Sequence, residues 1–408
     1  MSDIRLVAAP ALRRRLGLPL LVLYGIGITV GAGIYVLIGA VAGHAGVYAP
    51  WAFGLAAVAM AFTVASYAEL STRFPVSAGE AAYVRAAFGS RTVSTATGLL
   101  TVAIGVVSAA TVTLGSAGYI GQFVDLPQGA LVIIVVVLLA VVAAWGILES
   151  VVVASIFTLV ELGGLLIIIV AAVMTDIPIG AALAKLPPLE TEALSGIAFA
   201  SLLAFFAFIG FEDLANVVEE AKDPQRNLPR AMVLTLLIST ALYILVTAVA
   251  VSVVPIEQLS ASPAPLSLVF HRLAGVSPAA ISAIAVVATL NTILAQMTMA
   301  ARVIYGMARQ GDLPGVLGSV HPRTATPLPA TALVAAAVAG LAWTIPFVRL
   351  AEWTSVATLA VFALVNVALL RLKWRGEASA QTHATVPAWC PALGLASCIA
   401  MIATSLLP

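Results

Sequence analysis

Three carboxylates stand where an apolar chain makes them expensive. Glu161 lies well inside the uncharged surroundings of SIFTLVELGGLLIII. A carboxyl at that depth either takes up a proton or finds a partner, because burial disfavours its charged form. It offers the exchange of a proton with the two sides of a membrane in turn. A permanently protonated, structural acid is the simpler alternative. Glu212 and Asp213 follow directly on Gly210 in FFAFIGFEDLANVVEEAKDPQRNLPR, residues 205–230. An acid pair there requires an opened backbone and a wet or paired site. Beyond Glu219 and Glu220 the segment turns basic with Lys222, Arg226 and Arg230. A kinked helix with acids near the surface is the plainer reading. Polar groups also interrupt the apolar stretch 288–314, where Thr289, Asn291, Thr292, Gln296 and Thr298 recur. They line a site or pair with neighbouring helices. The histidines, His44, His271, His321 and His383, fall at loops or span ends, and Cys390 and Cys398 lie eight residues apart on one apolar run. No metal or catalytic cluster emerges, so neither an enzyme nor a cofactor is expected.

The elements that must position these groups are membrane helices. The chain of 408 residues is 62% hydrophobic and 9% charged, too little charge to cover a soluble surface of this size. Its apolar runs reach the roughly 20 residues that a bilayer crossing takes. The expected class is an all-α polytopic membrane protein, one transmembrane domain over residues 1–408. Eleven spans are expected, near 20–42, 49–70, 93–119, 129–146, 151–174, 195–218, 231–254, 278–306, 329–347, 352–371 and 386–407. Arg13, Arg14 and Arg15 mimic the start of a signal peptide, but the run behind them is too long and ten more come after it. With the N-terminus inside, sixteen basic residues fall on inner segments and only Lys185, Arg272 and Arg349 outside, which together make all 19. That asymmetry predicts a cytoplasmic N-terminus and an outer C-terminus. A net charge of +1 points to no nucleic-acid partner.

Span 1 crowds Gly25, Gly27, Gly31 and Gly33 into its middle. A half-helix starting near Gly31 would aim free N–H groups and a positive dipole end at the membrane centre, a seat for a substrate carboxylate. Close helix packing through small residues also fits Gly27 and Gly31. Span 6 is glycine-broken too, five spans later. Such pairing is the cue for inverted repeats, here 20–174 and 195–371, with 386–407 as an extra helix. Between spans 2 and 3, Gly79–Phe88 is expected as an amphipathic helix on the inner surface. Trp353 is read as an interface anchor.

Four blocks resemble the amino acid–polyamine–organocation (APC) superfamily, whose members have the LeuT-type fold. They are GITVGAGIYVLIG (27–39), YAELSTRFPVSAGEAAYVRAAFG (67–89), FFAFIGFEDLANVVEEAKDPQRNLPRA (205–231) and NTILAQMTMAARVIYGMARQGDLP (291–314). The resemblance implies secondary transport of amino acids or related amines. By position it places the substrate carboxylate on the amides of Gly31, Ala32 and Gly33, with Ile28 in the same set. It places the ammonium on the carbonyls of Phe206, Ala207, Phe208, Ile209 and Gly210, whose side chains contact the substrate side chain. Glu212 matches a family acid tied to gating or proton response, and the LeuT-type fold that the resemblance implies would set helix 5 beside helices 1 and 8, where an ionised Glu161 could help hold a cation with Thr289 or Thr292. Three departures stand out. The usual double glycine is Ala78-Gly79, followed by Glu80; Glu161 takes the place of a Lys found in many proton-coupled members; and eleven spans replace twelve. The expectation is a proton-coupled symporter in the cell membrane that works by alternating access, its substrate held between broken helices 1 and 6. An exchanger, a sodium symporter and a nutrient sensor of the same fold are the alternatives.

Overall fold

The computed structural model describes residues 16–74, 79–145, 151–188, 190–275, 277–321, 324, 326–376 and 385–406. Arg13, Arg14, Arg15, Pro75, Ala78 and His383 lie outside the described residues. Helices succeed one another without a strand among the described residues, as a lipid environment demands of every backbone polar group. The first half runs α1 (Leu18–Val30), α2 (Gly33–Ala45), α3 (Ala49–Arg73), α4 (Gly79–Phe88), α5 (Arg91–Ile120), α6 (Gln128–Trp145) and α7 (Val151–Met174). A short α8 (Ile179–Ala184) leads to α9 (Thr191–Phe206) and a 3-10 helix over Phe211–Glu220. The second half continues with α10 (Pro224–Val253), the short α11 (Ile256–Ala261) and α12 (Pro265–Ala274), then α13 (Ala279–Arg309), α14 (Leu328–Thr344), α15 (Phe347–Trp374) and α16 (Trp389–Thr404).

Among the described residues, eight helical stretches are long and apolar enough to cross a membrane, and three shorter apolar helices, Leu18–Val30, Leu328–Thr344 and Trp389–Thr404, join them. The protein is a polytopic membrane helical bundle. Its lipid-facing surface is plain on α6 and α7, where Ile134, Val137, Leu138, Val141, Ile167 and Val170 are exposed. The bundle packs through glycine. A Cβ on Gly27 would collide with Thr158 Oγ1, and one on Gly115 with Val36 Cγ1. The helix expected over Gly79–Phe88 is α4. It is tied down against α5 and α15, with Tyr83, Val84 and Ala87 fully buried.

Two polar ties hold distant parts of the chain together. Leu16 N donates to Glu220 O at 3.0 Å and Lys222 N donates to Leu16 O at 2.8 Å. The approach to α1 is therefore paired with the end of the 3-10 helix. The second tie centres on Glu69 of α3, which is fully buried. Lys373 Nζ reaches its two oxygens at 2.8 and 2.7 Å, Arg73 pairs with it one turn on, and Val386 N donates to it at 2.8 Å. Lys373 also donates to Val386 O at 2.6 Å, so this knot joins α3, α15 and the approach to α16. Removing one partner of a buried pair leaves the other charge uncompensated, at a cost of about 3–5 kcal/mol. Here Arg73 remains to serve Glu69, so Lys373→Met is expected at the lower end of that range. A melting temperature in detergent equal to the wild type's would show that the knot adds nothing.

Candidate functional site

The break in span 1 falls at Gly31 and Ala32. Gly31 N still donates back to Gly27 O at 3.2 Å and closes α1. Ala32 N instead donates to Thr292 Oγ1 of α13 at 3.2 Å. That hydroxyl is itself anchored to Ala288 O at 3.0 Å. Helix α2 then opens at Gly33, and its first turn closes with Val36 N on Ala32 O at 3.1 Å. The amides ahead of that bond stand outside the helical ladder with the positive end of the dipole behind them.

In span 6 the expected membrane helix changes type. Its last α-helical residue is Phe206, and the chain tightens through Ala207 N to Ala204 O, Phe208 N to Phe205 O and Ile209 N to Phe206 O at 2.9–3.2 Å. Gly210 then takes φ +121, a conformation that side chains strongly disfavour. Its amide donates to Glu212 Oε2 at 2.8 Å, so Glu212 satisfies a donor that the break sets free. From Phe211 the chain runs on as a 3-10 helix of ten residues, well beyond the usual run of about 3–4. Beneath it, Tyr67 stands edge-on to Phe211 at 5.3 Å, and its hydroxyl donates to Glu80 Oε1 at 2.9 Å. Burial pushes the Glu80 carboxyl above the usual carboxylate range, and the Tyr67 bond opposes that shift.

The two breaks lie against each other. A Cβ on Gly33 would sit 2.6 Å from Ala207 Cα, and one on Gly210 would sit 2.5 Å from Ile28 Cγ2 and 3.1 Å from the Ile28 carbonyl carbon. Tyr243 of α10 joins them. Its buried hydroxyl shares its proton between Thr29 O at 2.8 Å and Ala207 O at 2.7 Å, one carbonyl from each break. Phe208 stacks on the same ring, edge-on at 5.0 Å, and so braces the site from behind. Sequence reasoning missed Tyr243, although a tyrosine inside an apolar span needs a partner for its hydroxyl. Tyr243→Phe keeps the ring and strands both carbonyls. The expected result is a loss of about 1–3 kcal/mol, read as a lower melting temperature and weaker substrate binding. Unchanged values for both would remove Tyr243 as the clamp.

The remaining expected residues separate. Glu161 is 1% exposed on α7. Its backbone carbonyl accepts from the Tyr35 hydroxyl at 2.6 Å, and Tyr35 O in turn accepts from the Tyr119 hydroxyl at 2.6 Å. Thr292 joins the break in span 1 through the Ala32 amide. Thr289 does not; its hydroxyl donates to Ser116 Oγ at 2.9 Å and Val286 O at 3.0 Å, on the seam with α5.

Known proteins share this chain's sequence along most of its length. The amino acid permease family model matches residues 16–408. The branched-chain amino acid permease BcaP of Bacillus subtilis is 30% identical over 395 residues, 89% of this chain and 82% of that protein. The vacuolar cationic amino acid transporter 4 of Arabidopsis thaliana is 32% identical over 387 residues, 87% of this chain and 62% of the plant protein. The methylthioribose transporter of Bacillus subtilis is 27% identical over 391 residues, 86% of this chain and 80% of its own length. The chain belongs to the amino acid permease family of the APC superfamily.

Proposed function

We propose that this protein is a secondary active transporter that carries amino acids across the cell membrane by alternating access, with protons as the coupling ion. The observation that carries the reading is the meeting of the two breaks, Gly33 on Ala207 and Ile28 against Gly210. A zwitterion fits such a junction. Of the amides assigned to its carboxylate, Gly33 N heads α2 outside the helical ladder, while Gly31 N and Ala32 N would leave Gly27 O and Thr292 Oγ1 to join it. The carbonyls of Phe206, Ala207, Phe208, Ile209 and Gly210 are assigned to its ammonium; those of Phe206, Ala207 and Gly210 already accept from Ile209 N, the Tyr243 hydroxyl and Asp213 N and would offer it their second lone pair. Ile28 and Phe206 supply apolar walls, which favour a neutral side chain of the kind named for the Bacillus branched-chain permease. A cationic substrate, as named for the plant transporter, draws support from the nearby acids Glu161 and Glu212. In this reading Glu161 carries the coupling proton, Glu212 ties gating to the break, and Thr292 holds the break in span 1 closed. A sodium ion shared by Glu161 and Thr292 is the competing arrangement; Thr289 contributes to it only by leaving Ser116.

The same reading organises the chain as two inverted five-span repeats, 20–174 and 195–371, with 386–407 added, eleven crossings and a cytoplasmic N-terminus. Charge supports it, with three basic residues outside against sixteen within. Cysteine labelling on intact cells tests the topology. A cysteine at Ser379 that reacts with an impermeant reagent from outside overturns it. Transport itself is tested by uptake of a labelled amino acid panel into proteoliposomes, with pH and sodium gradients imposed separately. Accumulation driven by an inward proton gradient supports the reading. Accumulation that depends on sodium alone, or exchange without accumulation, replaces it.

A further inference from the structure

One face of α10 carries a hydroxyl at every fourth position, in Thr235, Ser239, Tyr243 and Thr247, all fully buried. The lower part of this row faces α1. A Cβ on Gly25 would sit 2.5 Å from Thr235 Oγ1, and the Tyr243 hydroxyl reaches Thr29 O at 2.8 Å. Residue numbers rise together on the two helices, so one turn beyond Gly25 and Thr235 stand Thr29 and Ser239. The hydroxyls of Thr29, Thr235 and Ser239 have no hydrogen-bond partner among the described residues. Buried hydroxyls such as those of Thr113 and Ser201 turn back onto the carbonyl four residues earlier, whereas Thr247, at the top of the row, and Ser355 also lack a partner among the described residues. The three on the seam forgo that bond. A buried hydroxyl left dry costs about 1–3 kcal/mol, and three on one seam would cost several times that.

We propose that the α1–α10 seam holds a file of ordered water molecules. The spacing suits water. Four residues of helix rise about 6 Å, close to the gap that one water spans with two bonds of about 2.8 Å each. The chemistry suits it too: each position offers a neutral oxygen that donates and accepts, and nearby carbonyls supply the further partners that a buried water requires. A single cation is a poor fit, because Thr235 and Ser239 stand about 6 Å apart along α10, wider than the roughly 5 Å between two oxygens that each ligate one ion at about 2.3–2.6 Å. At its upper end the file meets Tyr243 and, through it, the carbonyls of both breaks. At its lower end the stripe continues as Ala231 and Leu228, buried and apolar, beside Leu214, whose Cδ1 lies 2.8 Å from the place of a Gly25 Cβ. The file therefore ends blind, short of the inner face. Opening that end would give a proton a hydroxyl-and-water route from the substrate site to the inner side. The route rests on the proposed proton coupling; the water does not.

The test uses Thr29→Val, Thr235→Val and Ser239→Ala, singly and combined, in the full-length protein. If the seam is wet, each exchange removes a water ligand and lowers the melting temperature; if it is dry, each removes an unmet hydroxyl and raises it. A second measurement needs no variant. Hydroxyl radicals generated from water by X-ray pulses should modify Leu214, which is fully buried, as they modify Val316, which is 72% exposed in the 3-10 turn Gly315–Gly318. A rise in melting temperature, or an unmodified Leu214 beside a modified Val316, overturns the water file. In proteoliposomes the combined variant should lose proton-driven accumulation and keep exchange at equal pH; accumulation at the wild-type level overturns the route. A wild-type protein that ignores a proton gradient defeats the coupling reading instead, and leaves the melting and labelling results to decide the water.

Discussion

Gly210→Ala is expected to abolish substrate binding in a protein that still folds. Two costs fall on the one methyl group. The backbone at Gly210 has φ +121, which holds a non-glycine residue in a strained conformation at about 1–3 kcal/mol. The added Cβ would also stand 3.1 Å from both the carbonyl carbon and the carbonyl oxygen of Ile28, and 2.5 Å from its Cγ2. The side-chain contact can relax by rotation, but the backbone contact yields only by moving the breaks apart. A displacement of the carbonyls that face the ammonium, at about 1.4 kcal/mol per tenfold in affinity, makes a loss of about a hundredfold or more the expected outcome. Equilibrium binding of the amino acid identified by the uptake panel, measured on monodisperse purified protein, reads the effect. Wild-type affinity would mean that the substrate does not bind at this junction. Gly33→Val presses on the same contact from the other side, through Ala207 Cα at 2.6 Å, and should behave alike.

Glu161→Gln is expected to uncouple transport rather than stop it. Glutamine keeps the shape of the side chain and removes its titration. The Tyr35 hydroxyl bonds the Glu161 backbone carbonyl, a contact that the exchange leaves in place. In the proton-coupled protein, accumulation against a gradient therefore falls to background while exchange at equal pH survives. If wild-type uptake instead rises with sodium, the variant loses that stimulation. Should the variant accumulate substrate with the wild-type pH and sodium responses, Glu161 is structural and the coupling group lies elsewhere.

The helices and both breaks were legible in the sequence because their causes are local. Long uncharged runs mark the helices, and Gly31, Gly33 and Gly210 mark the places where a helix cannot comfortably continue. The acid after Gly210 signalled an opened backbone, and the structure uses Glu212 to satisfy the amide at that opening. The connections between breaks were not legible, because they depend on partners distant in the chain. Tyr243 serves carbonyls of Thr29 and Ala207, and nothing near Tyr243 in the sequence announces either. Thr289 and Thr292 are three residues apart and look interchangeable, yet the turn of one helix sends them to different neighbours, Ser116 and Ala32. Glu69 reads as an ordinary acid near a span end until Lys373 arrives from the far end of the chain. The 3-10 path over Phe211–Glu220 has no mark of its own in a stretch that reads as the end of a membrane helix.

The pairing of Leu16 with the stretch from Glu220 to Lys222 bears on the order in which the molecule can be assembled. Leu16 leaves the ribosome long before its partner segment exists. At about 5–20 residues per second, the roughly 200 intervening residues take on the order of 10–40 s to synthesise. Over that interval the first span has neither its backbone partner nor Ala207, against which Gly33 closes. It must wait in the bilayer, or beside the insertion machinery, with its glycine break unsupported. The junction between the two breaks is thus made late, when the second half of the chain delivers it, and a nascent chain stopped before Lys222 should leave the first span open to proteolysis and chemical labelling.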